Sequence, residues 1–123
     1  MPLKDQRILL IEDNVLIAHD IEGSIHAYNG AVTARASTLE QAMERAETPG
    51  LTSAILDFRL GADDASPVAE KLSEYGVPFL FYTAYSKTRI AEAWPNAPIV
   101  VKPASPDDLI SALASLIPPK IAN

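Results

Sequence analysis

The sequence contains no cysteine, and this absence removes several kinds of chemistry at once. A disulfide bond, a thiolate nucleophile and a zinc site with cysteine ligands are all excluded, while the redox compartment stays open. Long hydrophobic runs are also missing, because the first apolar run, residues 8–11, is too short for a signal peptide and no stretch approaches a membrane span. We therefore expect a cytoplasmic protein that does not use a membrane as a partner.

Positive charge is scarce relative to negative charge. The chain has 10 Lys and Arg against 16 Asp and Glu, which gives a formal net charge of -6. Non-specific binding of nucleic acid depends on clustered Lys and Arg, so this balance argues against a nucleic-acid partner. An acidic chain suits a divalent cation instead.

The length and composition indicate one globular domain. A chain of 123 residues can bury a substantial core but is too short for two domains, and 48% hydrophobic with 21% charged residues is ordinary for a folded protein. We expect a single domain over residues 1–123, with a core of about residues 6–118 and no output domain.

Short apolar runs alternate with amphipathic segments along the whole chain. The runs predict five strands at residues 8–11, 31–36, 54–56, 78–83 and 99–101, each followed by a helix. This alternation indicates an α/β fold, in which helices cover both faces of a parallel sheet. Of the doubly wound layouts, five strands favour the flavodoxin-like order 2-1-3-4-5, with five helices.

Capping and turn residues predict where the helices begin and end. The predicted N-caps are Asn14, Thr38 (in a capping box with Gln41), Ser66 and Ser105. The predicted helix ends are residues 29–30, 49–50, 76 and 118–119, residues 60–65 are predicted to be a loop, and residues 86–94 the most polar and most weakly tethered helix. The helical spacing predicts inward-facing side chains that include Val15, Leu16, Ile17, Ile21, Ile25 and Tyr28 in the first helix and Val68, Leu72 and Tyr75 in the third.

Polar residues stand where four of the predicted strands run out. A lone carboxylate is costly to bury, so a crevice at the edge of the sheet suits these positions better than its interior. The strand order brings the ends of strands one and three together, because they flank the switch point of the sheet. The residues concerned are Glu12 and Asp13, Asp57, Thr83 and Ala84, and Lys102 and Pro103.

The acidic residues predict a magnesium site. Three neighbouring carboxylates repel one another, and Lys102 is their one countercharge among the strand-end residues. Mg²⁺ takes oxygen ligands, commonly one or two carboxylates with waters and a phosphate oxygen. We expect Asp13 and Asp57 as direct ligands, a backbone carbonyl near Arg59 as a third, and Glu12 as the holder of a metal-bound water.

Asp57 is the candidate nucleophile, because a carboxylate can be phosphorylated to an acyl phosphate, as in aspartyl-phosphate ATPases. The charge of the phosphoryl group would be offset by Mg²⁺, by the Lys102 ammonium, and by the Thr83 hydroxyl with a loop amide such as that of Ala84.

These four strand-end motifs together resemble the receiver domains of two-component response regulators, especially the single-domain kind seen in chemotaxis regulators. The resemblance implies a phosphoacceptor rather than an enzyme: Asp57 would receive a phosphoryl group, with Mg²⁺, from a histidine kinase or a histidine phosphotransfer protein. It also implies a cis peptide bond before Pro103. Phosphorylation would switch the face of helix four, strand five and helix five for a protein partner, or the domain would serve as a phosphate sink, as a monomer or weak dimer.

The chain departs from the family pattern where receivers commonly carry an aromatic switch, since this position is Ile99. Residues 81–85 instead resemble the signature of a stand-alone alphaproteobacterial subgroup, with Ala84 in place of glycine. We hypothesise that Tyr85, responding to Thr83, and the helix after it carry the signal. Arg59 and Tyr85 are also expected to flank the approach of hydrolytic water and to slow self-dephosphorylation.

Three other functions share parts of this pattern. A hydrolase of the haloacid dehalogenase type also uses a nucleophilic Asp with Mg²⁺, but it has a second Asp two residues later, where this chain has Arg59. A flavodoxin-like cofactor carrier needs a Ser, Thr and Gly loop after strand one, where this chain has residues 12–14, Glu-Asp-Asn. A receiver fold kept as an unphosphorylated binding module stays open.

Overall fold

A parallel five-stranded sheet forms the centre of the molecule in a computed structural model that describes residues 3–85 and 87–117. The strands are β1 (Arg7–Ile11), β2 (Ala31–Ala36), β3 (Ser53–Leu56), β4 (Phe79–Thr83) and β5 (Ile99–Val101). Their order is β2-β1-β3-β4-β5, and every neighbouring pair is parallel. The predicted flavodoxin-like order is confirmed.

Five helices cover the two faces of this sheet. They are α1 (Val15–Ala27), α2 (Leu39–Arg45), α3 (Ser66–Glu74), α4 (Lys87–Ala93) and α5 (Pro106–Ser115). Two of the predicted boundaries, Ser86 and residues 118–119, lie outside the described residues. Within residues 3–85 and 87–117, no helix combines the length and the apolar character that a membrane crossing requires.

Each central strand buries side chains on both faces of the sheet. Leu9 and Ile11 of β1 join one cluster with α2, α3 and α4, whereas Ile8 and Leu10 join a second cluster with α1 and α5. This two-sided burial is why the strands are continuous apolar runs in the sequence. It also fixes the register, because a shift by one residue would exchange the two faces.

Three helices begin at the predicted caps. The side-chain oxygens of Asn14, Thr38 and Ser105 accept hydrogen bonds, each 3.1 Å long, from the amides of Ile17, Gln41 and Asp108. The Gln41 side chain accepts at 2.9 Å from the amide of Ser37, one residue before the cap, rather than from Thr38. These bonds satisfy amides that a helix start otherwise leaves unpaired.

The prediction that Val15 and Leu16 face inward is wrong, since they are 78% and 76% exposed. Burial deepens along α1, with Ile21 and Ile25 fully covered, because α1 starts beside the carboxyl ends of the strands and packs on the sheet only later. Tyr75 is also exposed, contrary to prediction, because it caps the end of α3.

The prediction that residues 60–65 form a loop is wrong in part, because this segment contains a hairpin. Strands Arg59–Leu60 and Asp63–Asp64 pair as a small antiparallel hairpin, in which Leu60 is buried and Gly61 has a φ of 63°. Glycine suits this left-handed turn position. The burial of Leu60 turns the chain back toward the body of the domain.

Two helix boundaries differ from those predicted. Ser66 is the first residue of α3 rather than its cap, and its amide donates to the Asp64 carboxylate at 2.8 Å. The Asp64 carboxylate therefore satisfies the first amide of the helix, while the N-cap position itself is Ala65, which has no side-chain hydrogen bond. Helix α2 ends at Arg45 rather than at residues 49–50, because the amides of Glu47 and Thr48 bond to carbonyls three residues back and tighten the chain into turns.

Replacing Ile90 by Ala tests how α4 is attached, because Ile90 is the one fully buried side chain of this helix. We expect the free energy of unfolding to fall by about 2–5 kcal/mol, from lost burial and a residual cavity. Denaturant titration followed by circular dichroism measures this change.

The exposed Val15→Ala is the matched control, and its effect is expected to stay within about 0.5 kcal/mol. If both variants lost the same small amount, Ile90 would not be what holds α4 to the sheet.

Candidate functional site

The predicted strand-end residues meet at the carboxyl edge of the sheet, held by backbone bonds that extend the strands. The amide of Asp57 donates to the carbonyl of Ile11 at 2.9 Å, and the amide of Lys102 donates to the carbonyl of Thr83 at 2.9 Å. Asp57 and Lys102 are therefore each anchored one residue beyond the end of a strand, which limits the freedom of both backbones to move.

Three carboxylates form the acidic part of the site. Glu12, Asp13 and Asp57 each offer an oxygen, and these oxygens all lie within 4.8 Å of one another. Glu12 and Asp57 are 4% and 7% exposed, whereas Asp13 is open to solvent. A buried charge is unfavourable unless it is paired, so the two inner carboxylates require a cation.

Lys102 supplies one positive charge to this cluster. Its Nζ lies 2.6 Å from Glu12 Oε1 and 2.8 Å from Asp57 Oδ2, and its side chain is 13% exposed. The single ammonium thus pairs with both buried carboxylates, while Asp13 keeps its charge unmatched by Lys102. The peptide bond between Lys102 and Pro103 is cis, as the resemblance implies.

The site shifts two titration equilibria. Burial raises the pKa of Glu12, against the hydrogen bonds from Lys102 and from the amide of Asn14, which lower it. Burial alone would lower the pKa of Lys102, but its hydrogen bonds and charge interactions with Asp57 and Glu12 together raise it. Lys102 therefore stays protonated at neutral pH, as a countercharge to the carboxylates must.

Backbone amides orient the carboxylates. The amide of Gly61 donates to Asp13 Oδ2 at 3.0 Å, that of Arg59 to Asp57 Oδ1 at 3.3 Å, and that of Asn14 to Glu12 Oε2 at 3.1 Å. Gly61 was missed in the sequence because its role depends on the unpredicted hairpin. The structure shows that the backbone amide of Arg59 donates a hydrogen bond to Asp57. The role of the Arg59 carbonyl as a metal ligand stays a prediction.

Thr83 and Ala84 stand at the end of β4, next to the strand that leads to Asp57. Thr83 is buried, and its Oγ1 accepts a hydrogen bond of 3.1 Å from the amide of Tyr85. Ala84 is exposed. A buried hydroxyl, that of Thr83, and an exposed loop residue, Ala84, therefore lie at the same edge of the sheet as the carboxylates.

Tyr85 packs against the two residues that follow Asp57. Its ring stacks on Phe58 with centroids 5.2 Å apart and an angle of 17° between the planes. The Arg59 guanidinium carbon lies 5.3 Å from the centre of the same ring. Arg59 and Tyr85 are therefore in contact, while their effect on the approach of water stays a prediction. Phe58 is a neighbour that the sequence motifs did not indicate.

Ile99, the other position considered for a switch, pairs with Phe81 across β5 and β4 and is partly buried against the cluster under α2, α3 and α4. The aliphatic side chain of Ile99 has neither an aromatic ring that could stack nor a hydroxyl that could donate a hydrogen bond, which are the two features of a tyrosine at this position.

The donor chemistry fits a hard divalent cation. All three side-chain groups offer oxygen, two are already oriented by the amides of Gly61 and Arg59, and their oxygens are close enough to share one ion. Mg²⁺ prefers such oxygen ligands and completes its shell with water or phosphate oxygens. Asp13, which Lys102 does not neutralise, lies on the solvent side, where an ion can enter.

Comparison with known proteins adds an independent observation, although no protein-family model matches the sequence. The chain is similar to the phyllosphere-induced regulator PhyR of Methylorubrum extorquens, an alphaproteobacterium, with 29% identity over 114 residues. The match covers 89% of this chain and 43% of PhyR, so the chain spans less than half the length of this curated relative.

Two solved structures share the fold over nearly their whole length. SdrG from Sphingomonas melonis Fr1 is 32% identical, with a TM-score of 0.80 and coverage of 94% of this chain and 98% of that one. A response regulator receiver protein from Sinorhizobium medicae WSM419 has a TM-score of 0.81 at 23% identity, with 90% and 93% coverage. The chain therefore belongs to the receiver domains of two-component response regulators and resembles their stand-alone alphaproteobacterial subgroup.

Proposed function

We propose that this chain is a cytoplasmic phosphoreceiver in which Asp57 accepts a phosphoryl group, with Mg²⁺, from the phosphohistidine of a histidine kinase or a histidine phosphotransfer protein. The observation that carries the proposal is the position of Asp57, which is buried beside Glu12 and Asp13 and lies 2.8 Å from the Lys102 ammonium. Receiver domains typically bind Mg²⁺ in an acidic pocket of this kind.

Asp57 performs the transfer as a nucleophile. One carboxylate oxygen forms the new bond to phosphorus, the nitrogen–phosphorus bond of the donor breaks, and the imidazole leaves with the electron pair. Asp13, Asp57 and the carbonyl of Arg59 would hold Mg²⁺, with Glu12 holding a bound water, and the ion would supply positive charge to the transferred oxygens.

Three further groups would stabilise the product. The Lys102 ammonium is a point charge, which suits a single phosphoryl oxygen. The buried Thr83 hydroxyl and the amide of Ala84 would donate to another. On this account the domain assists its own phosphorylation and dephosphorylation and acts on no separate substrate.

The environment of Arg59 disfavours the haloacid dehalogenase alternative. That chemistry requires a second carboxylate two residues after the nucleophile, and here the position holds a guanidinium packed on the Tyr85 ring. The flavodoxin-like carrier is disfavoured as well, because Glu12 and Asp13 would repel a phosphate in the absence of a cation.

The signal of this receiver domain would leave by contact with another protein, unless the domain acts as a phosphate sink. Strand β5 lies at the open edge of the sheet between α4 and α5, and Val101 on it is exposed. We propose the face of α4, β5 and α5 as the partner surface of a monomer or weak dimer.

The phosphodonor would dock on the first turn of α1. Val15 and Leu16 expose apolar surface only a few residues after Asp13, and exposed apolar groups that adjoin a site are candidates for a protein interface. A cleft of about 520 Å³ between α1 and α5, lined partly by Ile17, Ile21 and Leu109, continues this surface beside Lys102.

Incubation with acetyl phosphate and Mg²⁺ tests the acceptor. Intact mass spectrometry is expected to show a gain of about 80 Da, one phosphoryl group, which disappears in Asp57→Asn and on chelation of Mg²⁺ with EDTA. Asp63→Asn, an exposed acid of the neighbouring hairpin, is the matched control and should keep the gain. Phosphorylation that persisted in Asp57→Asn would refute the assignment.

Leu16→Asp tests the docking surface, with a phosphorylated histidine phosphotransfer protein that acts on the unmodified chain as donor. Transfer from the protein is expected to slow at least several-fold, because a charge replaces apolar contact area, whereas phosphorylation by acetyl phosphate should be unchanged. Equal slowing with both donors would mean that Leu16 acts on the chemistry rather than on docking.

The double variant Arg59→Ala, Tyr85→Ala tests the protection of the acyl phosphate. Removal of both side chains opens the approach to phosphorus, so the acyl-phosphate lifetime, followed by loss of the added mass after removal of the donor, is expected to fall. Tyr75→Ala, which removes an exposed tyrosine elsewhere, is the control. An unchanged lifetime in the double variant would rule out shielding.

A further inference from the structure

Five aromatic side chains form one continuous cluster that begins at the acceptor site and ends at α4. Tyr85 stacks on Phe58, the edge of Phe58 meets Phe81 at 5.6 Å, and Phe81 lies 6.4 Å from Trp94. Phe79 completes the cluster, at 5.5 Å from Phe81 and 5.6 Å from Trp94. We call this set, Tyr85, Phe58, Phe81, Phe79 and Trp94, the aromatic ladder.

Tyr85, the upper end of the ladder, has three attachments to its surroundings. Its amide donates to Thr83 Oγ1 at 3.1 Å, its ring carries the Arg59 guanidinium at 5.3 Å, and the same ring stacks on Phe58. The position of Tyr85 therefore depends on two groups, the Thr83 hydroxyl and the Arg59 guanidinium, that belong to the edge of the acceptor site.

A phosphoryl group on Asp57 would attract both of these groups. The Thr83 hydroxyl, which now accepts from the Tyr85 amide, would donate its hydrogen to a phosphoryl oxygen, and hydrogen bonds to an ionised acceptor are about twice as strong as those between neutral groups. Movement of Thr83 Oγ1 toward the phosphoryl group would lengthen the bond from the Tyr85 amide. Arg59 is solvent-exposed, where a cation–π contact is weak, and its backbone is already bonded to Asp57. A nearby dianion would thus draw the guanidinium from the ring.

We propose that phosphorylation of Asp57 detaches Tyr85 from Phe58, and that Phe58 passes this change through Phe81 to Trp94 at the end of α4. This inference rests on the proposed function and names the route by which the site acts at a distance. Phe58 transmits the change from Tyr85 to Phe81 and does not touch the phosphoryl group.

The lower end of the ladder faces a surface that such a change would alter. The Trp94 amide closes the last turn of α4 on the carbonyl of Ile90 at 2.8 Å, so movement of the Trp94 ring is coupled to that turn. Trp94 also lines a cleft of about 620 Å³ together with Phe79, Pro78 and Pro95. Packed side chains shift between discrete arrangements, which is what allows such coupling to extend through a core.

Trp94 is the only tryptophan of the sequence, so its fluorescence reports directly on this end of the ladder. The emission spectrum is recorded before and after incubation with Mg²⁺ and acetyl phosphate, and intact mass is measured on the same samples. In the unmodified protein the emission is expected to change in step with phosphorylation. In Phe58→Leu the mass gain should remain, while most of the emission change is lost.

Tyr75→Leu is the matched control, because it removes an exposed aromatic ring outside the ladder and should keep the full emission change. Circular dichroism shows whether each variant is folded. If Phe58→Leu does not fold, Tyr85→Leu removes the first member of the ladder from a partly exposed position. It is expected to lose the emission change per phosphorylated molecule, a ratio that a shorter acyl-phosphate lifetime does not alter.

The outcomes separate the two proposals. Absence of a mass gain in the unmodified protein would overturn the proposed function, and this coupling with it. A full mass gain with unchanged Trp94 emission would overturn the coupling alone. An emission change that survived in both Phe58→Leu and Tyr85→Leu would show that another route connects Asp57 to α4.

Discussion

One ammonium group shared by two buried carboxylates is the interaction on which this site depends. The Lys102 Nζ lies within 3 Å of both Glu12 and Asp57, and all three side chains are almost fully buried. Removing a charge from water costs several kcal/mol even after relaxation, so burying the two carboxylates beside the Lys102 ammonium is much less costly than burying them without it. Yet one positive charge does not balance three negative ones, and the site therefore favours a divalent cation.

The parallel sheet makes this charge distribution feasible. Strands β1, β3 and β4 are buried along nearly their whole lengths, β5 is half-buried at the edge of the sheet, and all four lead polar residues to one edge, where solvent and amides can stabilise them. The hairpin after Asp57 contributes the amides of Arg59 and Gly61, so the carboxylates are oriented by backbone as well as by Lys102. The scaffold thus buries the Asp57 carboxylate and fixes its orientation at the same time.

Sequence patterns predicted the strands and their order because two-sided burial leaves a strong signal in composition. The site residues followed from the strands, since Glu12, Asp57, Thr83 and Lys102 each stand next to an apolar run. Failures occurred where a contact depends on three-dimensional position. Val15 and Leu16 have helical spacing, but the sheet does not extend under the first turn of α1.

The hairpin and the aromatic ladder were missed for a related reason. A hairpin of two-residue strands is too short to show alternation, and the bond from Gly61 to Asp13 joins residues 48 positions apart. Phe58 and Trp94 are unremarkable in sequence, and they become informative only once β4 places Phe81 between them. Local patterns specify the helices and strands, whereas contacts between distant elements specify what surrounds the site.

Borohydride reduction of the phosphorylated protein is the most direct test of the central claim, because it converts an acyl phosphate on aspartate into homoserine. Peptide mass spectrometry then locates the modified residue. The account predicts homoserine at position 57 and unmodified aspartate at position 13. Homoserine at position 13 or at another acid, or none after phosphorylation, would contradict the assignment of Asp57 as the acceptor.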